Sequence, residues 1–377
     1  MKCALVGCGY WGEKVLGALC DPSTQESRDL GVLEPFGKQA LQKADFTLIG
    51  VYDSSLGNAQ NVHRAYPHLH IYPSYEALLA DKQVEAIFLI TPPVSHFALA
   101  KAALESKKHI FVEKPLALSS KECVLLYGLA SKQGVVLHCD HIFLYAPAVQ
   151  WLHAHIQDFG QIFSIHARRA SFGRFQKEVS VVWDLALHDV TILEYVLGGR
   201  VLENMKPCAK LVDVSGYLAL ADIGFSGFAR EPNISIHTSW LSPKKVREMV
   251  IVGTKGVGVY DELVESKLTL FSIDSALGRQ FGEIENVIKS TDRELTNLSQ
   301  NFQNLQSPTA KPAQYKQIFT HPVLSPTPPL VSSIAHFYTQ ILRKQICLEL
   351  VEHTIRVVQI LEKIDAATLC QEIAQTS

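Results

Sequence analysis

The sequence predicts two folding units: an α/β domain built on a doubly wound parallel sheet, then an α+β domain whose sheet is mainly antiparallel. Three observations carry that expectation. A glycine-punctuated apolar run, MKCALVGCGYWG, opens the chain; strand-length apolar runs then alternate with helix-length amphipathic ones as far as Asp140; beyond it apolar residues recur with period two. A chain of 377 residues is long enough for two cores.

Ala4-Leu5-Val6 reads as a buried strand and Glu13 to Leu19 as a helix, with Gly7, Gly9 and Gly12 between them. G-x-G-x-x-G thus stands in the strand-turn-helix context of a dinucleotide-binding Rossmann domain. Gly7 permits the tight turn, Gly9 admits a pyrophosphate to the backbone, and Gly12 lets the helix pack on the strand. The helix N-terminus adds unpaired N–H donors and a positive dipole. Tyr10 and Trp11, inside the turn, are counted with this cofactor site. A secretory leader is the alternative reading; the charged pair Glu13-Lys14 and the lack of a small-residue cleavage site speak against it.

Residues 21–44 are polar and read as a loop inserted before the second strand of the sheet, which runs from Asp45 through Tyr52 and ends in Asp53. An acid at that strand end hydrogen-bonds the adenosine ribose. Glu34 has the more usual spacing but follows a short segment containing Gly31 and precedes Pro35, so Asp53 is the expected ribose acid. A carboxylate there repels a 2′-phosphate and favours NAD over NADP; its plain alternative is a cap for the next helix. A helix over 56–66 and the runs HIY, SYEALLAD, VEAIFLITP, SHFALAKAALES, KHIFVEKP, SSKECVLLYGLASKQ and GVVLHCD complete a first domain over 1–140. The second, 141–377, opens with a crossing helix in HIFLYAPAVQWLHAHI and continues with strands such as IFSIHARRASF and NISIHTSW. It passes an irregular Asn/Gln/Ser/Thr/Pro-rich loop over 275–329 and closes with two helices over 330–367.

With 35 Lys+Arg against 37 Asp+Glu, the chain lacks the basic field that nucleic-acid or anionic-membrane binding leaves, so a small-molecule partner is expected. Eight cysteines without a C-x-x-C pair suggest free thiols in a reducing cytoplasm and no metal site. No apolar stretch reaches the roughly 18 residues of a membrane span.

Three stretches carry polar groups where a ligand binds in this architecture. The fourth strand of the sheet ends in Thr91-Pro92-Pro93-Val94-Ser95-His96; Thr91, Pro92 and His96 are expected to wall the cofactor, with Ser95 as helix cap. The fifth ends in Glu113-Lys114-Pro115, and a lysine there sits beside nicotinamide and substrate. In VVWDLALHDV, Asp184 and His188 stand four apart on one helix face, an imidazole with the right intrinsic pKa to take a hydroxyl proton and a carboxylate to orient it. Each also has a plain reading, as a solvated strand end or an ordinary helix pair.

GCGYWG, VEKPLAL and WDLALHD, in that order and spacing, resemble the glucose-fructose oxidoreductase/inositol dehydrogenase/MocA family of NAD(P)-dependent oxidoreductases. HIFLYAPAV, RRASFGRF and SWLSPKKVREMVIVGTKG are similar to its branch that oxidises nucleotide sugars at C3. The likeness covers roughly residues 1–20 and 45–272; Leu187, Ser180 and CLELVEHT depart from the branch's pattern. The resemblance implies that Lys114 touches the reacting hydroxyl and nicotinamide, that Asp184 and His188 supply substrate contact and acid/base function, and that the second-domain sheet makes a homo-oligomer. It implies a dehydrogenase of a UDP-linked N-acetylhexosamine or its uronic acid, with the anionic groups gripped by Arg169 and Arg174. A free-sugar or inositol dehydrogenase and a non-catalytic NAD-binding regulator are the competing readings.

Overall fold

The computed structural model describes residues 1–20, 29–36, 40–173, 175–199, 201–227, 231–272 and 319–375. The first part alternates strand and helix: β1 (Lys2–Val6), α1 (Tyr10–Cys20), β2 (Asp29–Leu33), β3 (Ala40–Gln42), β4 (Thr47–Tyr52), α2 (Leu56–Ala65), β5 (His70–Ile71), α3 (Tyr75–Ala80), β6 (Ala86–Leu89), α4 (Pro93–Glu105), β7 (His109–Glu113), α5 (Ser120–Gln133) and β8 (Leu137–Asp140). Its sheet is parallel in the order β5-β4-β1-β6-β7-β8. The chain moves outward from β1 to β5 and then restarts on the other side of β1 at β6. That reversal opens a crevice at the carboxyl ends of the strands, where ligands bind in such sheets.

The strands are apolar throughout because both faces are covered. Ala4, Val6, Ile87, Leu89, Ile110 and Val112 face one core, and Leu5, Phe88 and Phe111 the other. This second core is completed from the far end of the chain. A closing helix, α9 (Pro329–Arg343), lays Ile334, Phe337 and Ile341 on it, with Phe337 stacked on Phe46 at 5.6 Å. Truncating a buried Phe such as Phe337 costs about 3–5 kcal/mol. The stretch 141–377 therefore does not pack only on itself: α9 returns to the first sheet.

After β8 come a 3₁₀ turn (Ile142–Tyr145), α6 (Pro147–His155), β9 (Ile162–Phe172), a π-helical turn (Val182–Ala186), α7 (Leu187–Val196) and α8 (Val201–Asn204). Strands β10 (Lys206–Val214), β11 (Tyr217–Ser226), β12 (Asn233–Ser239), β13 (Leu241–Gly253), β14 (Gly256–Asp261), β15 (Leu268–Ser272) and β16 (Phe319–Thr320) follow. They form a second sheet with β9, in the order β10-β11-β12-β9-β13-β14-β15-β16. It is antiparallel except for the β12–β9 pair. The last helix, α10 (Leu348–Gln375), buries Val357, Val358, Leu361 and Ile364 in the shared core.

Several local expectations change. Residues 29–33 and 40–42 of the inserted stretch pair as an antiparallel ribbon rather than a plain loop. That ribbon is anchored: Arg343 of α9 pairs with Glu34, and the Tyr195 hydroxyl donates to the Pro35 carbonyl. The crossing helix is a 3₁₀ turn and a separate helix, divided at Pro147, whose missing N–H suits a first helical position. The basic stretch Ser242–Arg247 lies within β13, beside a register shift. Most of the loop expected over 275–329 falls outside the described residues.

Candidate active site

The glycine turn has the shape its sequence demands. Gly7 adopts φ +96°, and a Cβ on it would overlap the Ile90 carbonyl; a Cβ on Gly12 would overlap the carbonyl oxygen of Gly7. Gly9 is different: it is exposed, and no heavy atom stands near where its Cβ would be, so the backbone there is open to a ligand. Asp53, just past β4, accepts from the Cys8 amide at 2.7 Å through Oδ2 and from the Ser55 amide at 2.7 Å through Oδ1. It is half-buried beside the glycine turn, with lone pairs left over for hydroxyl donors. Glu34 is elsewhere, because β2 joins only β3. These residues fit a dinucleotide: an open glycine backbone at a helix N-terminus and a carboxylate at the neighbouring strand end. Tyr10 is 58% exposed on the same rim. The Trp11 indole N–H lies near the Glu113 carboxylate, outside good hydrogen-bond geometry.

The loop after β6 is tied to the loop after β7 by His96. Its Nδ1 meets the Pro115 carbonyl oxygen and its Nε2 the Thr91 carbonyl oxygen, both at 2.7 Å. The imidazole is fully buried, so it cannot wall the cofactor as expected from sequence; it sets the distance between two loops that can. Thr91 and Pro92 remain accessible. Helix α4 is capped by Pro92, not Ser95; the Ser95 hydroxyl instead bonds Thr91 Oγ1 and the Pro92 carbonyl oxygen, each at 2.8 Å.

Lys114, just past β7, reaches Asp184, and its charge acts on His188 one helical turn further on. Lys114 Nζ donates to the Asp184 carbonyl oxygen at 2.8 Å and lies 3.6 Å from its carboxylate. Asp184 Oδ2 also accepts from the Trp240 indole at 2.9 Å. The Lys114 and Asp184 side chains keep 15% and 24% of their surface, enough for a ligand to reach them. Asp184 sits in the π-helical turn and His188 in the first turn of α7, so the expected single helix is two kinds of helix joined. Such wide turns are frequent at functional sites. His188 is half-buried, its ring edge-on to Phe143 at 4.9 Å. Burial, then the positive charges of Lys114, Arg169 and Arg247, push its pKa well below the ordinary histidine value. A neutral, partly accessible imidazole near a lysine can accept a proton.

Arg169 corrects the sequence reading. Strand alternation turns Arg168 outward and Arg169 inward, where it is 3% exposed. Its guanidinium donates to both Asp189 oxygens at 3.0–3.1 Å and to Glu262 at 2.6 Å, with the Phe143 ring at 4.8 Å. Two carboxylates occupy Arg169 Nε and Nη2, while Nη1 is buried without a hydrogen-bond partner. Arg174 lies outside the described residues. Phe143 and Trp240 carry no sign of their roles in the sequence, since the residues they contact lie far along the chain, and Asp189, about 100° around the helix from His188, is only the weaker acid there.

Residues 1–141 match the family described as "Oxidoreductase family, NAD-binding Rossmann fold". UDP-N-acetylglucosamine 3-dehydrogenase of Acidithiobacillus ferrooxidans is 33% identical over 154 residues, 41% of this chain and 48% of that protein. The match thus spans less than half of that relative's length. The solved structure of UDP-N-acetylglucosamine 3-dehydrogenase GnnA from Acidithiobacillus ferrooxidans superposes with a TM-score of 0.69 at 20% identity, covering 97% of each chain. A levoglucosan dehydrogenase complexed with NADH and levoglucosan gives 0.72 at 16% identity, covering 98% of this chain and 97% of that one. At such identities the structures establish the fold over nearly the whole chain. Over its first 141 residues the chain thus matches the model of an NAD-binding Rossmann oxidoreductase family, and over nearly its whole length it shares the fold of these dehydrogenases.

Proposed function

We propose that this protein is an NAD-dependent dehydrogenase that oxidises a secondary hydroxyl of a sugar, at C3 of a UDP-linked N-acetylhexosamine or its uronic acid. The observation that carries the reading is the contact of Lys114 with Asp184, with His188 in the field of the same lysine and with Trp11 of the glycine turn near the adjoining Glu113. Gly7, Gly9, Tyr10, Trp11, Gly12, Asp53, Thr91, Pro92 and Glu113 would hold NAD, which when bound supplies the hydride acceptor. His188 takes the hydroxyl proton at a ring nitrogen. Lys114, held by Asp184, bonds the same oxygen and stabilises the charge it gains as the proton leaves. Trp240 fixes the Asp184 carboxylate, so the cation it pairs with stays placed.

The substrate class is supported by the relatives' names, not by Arg169, which is buried and paired with Asp189 and Glu262. An anionic substrate would have to be met by other groups. The homo-oligomer is likewise carried over from the family. Measuring NADH formation with UDP-N-acetylglucosamine, its uronic acid, free N-acetylglucosamine, levoglucosan and myo-inositol tests the reading. Preference for the first pair supports it; turnover of free sugars alone leaves a dehydrogenase with a different substrate, and no turnover with any favours a non-catalytic cofactor-binding protein.

A further inference from the structure

A buried carboxylate near Lys114 lacks a donor for one of its oxygens. Asp140, the last residue of β8, is fully buried, and in the parallel register it stands directly beside Glu113 of β7. Its Oδ1 accepts from the Ser333 hydroxyl at 2.7 Å, while its Oδ2 meets no donor. The neighbour available to it is the Glu113 carboxyl group. Two ionised carboxylates cannot hydrogen-bond each other, and an unpaired buried carboxylate oxygen is costly.

The groups leading to Asp140 run in one direction. The Cys347 amide donates to Gln340 Oε1 at 3.0 Å, which fixes that amide and makes Gln340 Nε2 the donor to His138 Nδ1 at 3.0 Å. His138 therefore carries its proton on Nε2, which faces Ser333 Oγ at 3.2 Å, and Ser333 donates onward to Asp140. Among the described residues Oδ2 has no donor other than the Glu113 carboxyl group. Ser333 and Gln340 are seven apart on the buried face of α9, with His336 between them bonded to Tyr145 at 2.9 Å.

We infer that Asp140 and Glu113 hold one proton between them, and that this acid pair is a positioning element for Lys114. The inference builds on the reading of Lys114 as the cation of the site. A pair with one proton carries one negative charge instead of two. Lys114 is then left at Asp184, facing the cleft, where a dianion would draw it inward. Burial is the main cause raising both acids, Asp140 to about 6 and Glu113 well above its ordinary value. The other titratable groups facing the pair are Lys114 at the end of β7, Cys139 and His138 on β8, Tyr145 of the 3₁₀ turn and, farther off, His141; α1 contributes the Trp11 indole and α9 the Ser333 hydroxyl.

Infrared difference spectra of the cofactor-free protein read the shared proton directly and need no turnover, so they stand apart from the fate of the proposed activity. Wild type at neutral pH should show a protonated-carboxyl stretch that disappears in Asp140→Asn, whose amide N–H replaces the proton. Ser333→Ala removes a donor that favours the Asp140 carboxylate, so the pair should take its second proton at higher pH than in wild type. No such stretch in wild type, or one unchanged in Asp140→Asn, overturns the inference; if Asp140→Asn does not fold, an unshifted titration in Ser333→Ala does so.

Discussion

Two carboxylates five residues apart, Asp184 and Asp189, each pair with a cation from another part of the chain, and they are put to opposite uses. Asp189 and Arg169 are each 3% exposed and meet in a bidentate bond closed off by Glu262. Asp184 and Lys114 stand 3.6 Å apart with part of each side chain accessible. The first arrangement is buried and leaves only Arg169 Nη1 without a partner, whereas the second offers a ligand an accessible cation held by its backbone bond. Ion pairing alone therefore says little about function; burial and saturation of the bonding groups decide it.

The largest effect should come from breaking the closed cluster. Arg169→Ala strands the buried Asp189 and leaves Glu262 with Arg247 alone, and should lower unfolding free energy by about 3–5 kcal/mol, read by urea denaturation. A loss under 1 kcal/mol would mean that this cluster is not closed. In the open cluster, Lys114→Ala and His188→Ala should each reduce turnover roughly 10²-fold or more, with thermal midpoints near wild type. Loss of folding there, with activity per folded molecule intact, would reverse the two roles.

Smaller effects sharpen the contrast. Asp53→Ala should reduce a preference for NAD(H) over NADP(H) of at least about tenfold, worth about 1.4 kcal/mol, measured by titration. If Glu34→Ala shifts that preference and Asp53→Ala does not, the ribose acid has been misplaced. His188 should stay neutral below the ordinary histidine range, so the acid limb of kcat/KM should fall under pH 6.5. Arg247 helps hold that pKa down, so Arg247→Ala should move the limb upward; a limb that stays put separates His188 from the closed cluster.

What was legible in the sequence follows from how local each signal is. The parallel strands read plainly because residues such as Ile87–Leu89 and Ile110–Val112 are buried on both faces, leaving unbroken apolar runs. Gly7, Gly12, Asp53 and Lys114 read from short motifs at strand ends. Arg169 did not, because its partner Glu262 is 93 positions away and an arginine gives no local sign of which carboxylate it will meet. Alternation placed Arg168 and Arg169 on opposite faces, yet did not say which face was the interior. His96 was misjudged for a related reason: the carbonyl oxygens that consume its ring nitrogens come from backbone. The inward face of α9 was hidden because Ser333, His336 and Gln340 look like solvent-facing residues until their buried partners are known.

Lys114, Asp184 and His188 are held to take the proton of a sugar hydroxyl while the carbon that bears it gives a hydride to NAD, and isotope transfer tests that claim most directly. The protein is incubated with NAD and UDP-N-acetylglucosamine, or its uronic acid, deuterated at C3, and the nicotinamide product is examined by mass spectrometry. Deuterium in the reduced cofactor with wild type, and its near absence with His188→Ala that still binds NAD, is the predicted result. Reduced cofactor without deuterium, or undiminished transfer in His188→Ala, would contradict the account.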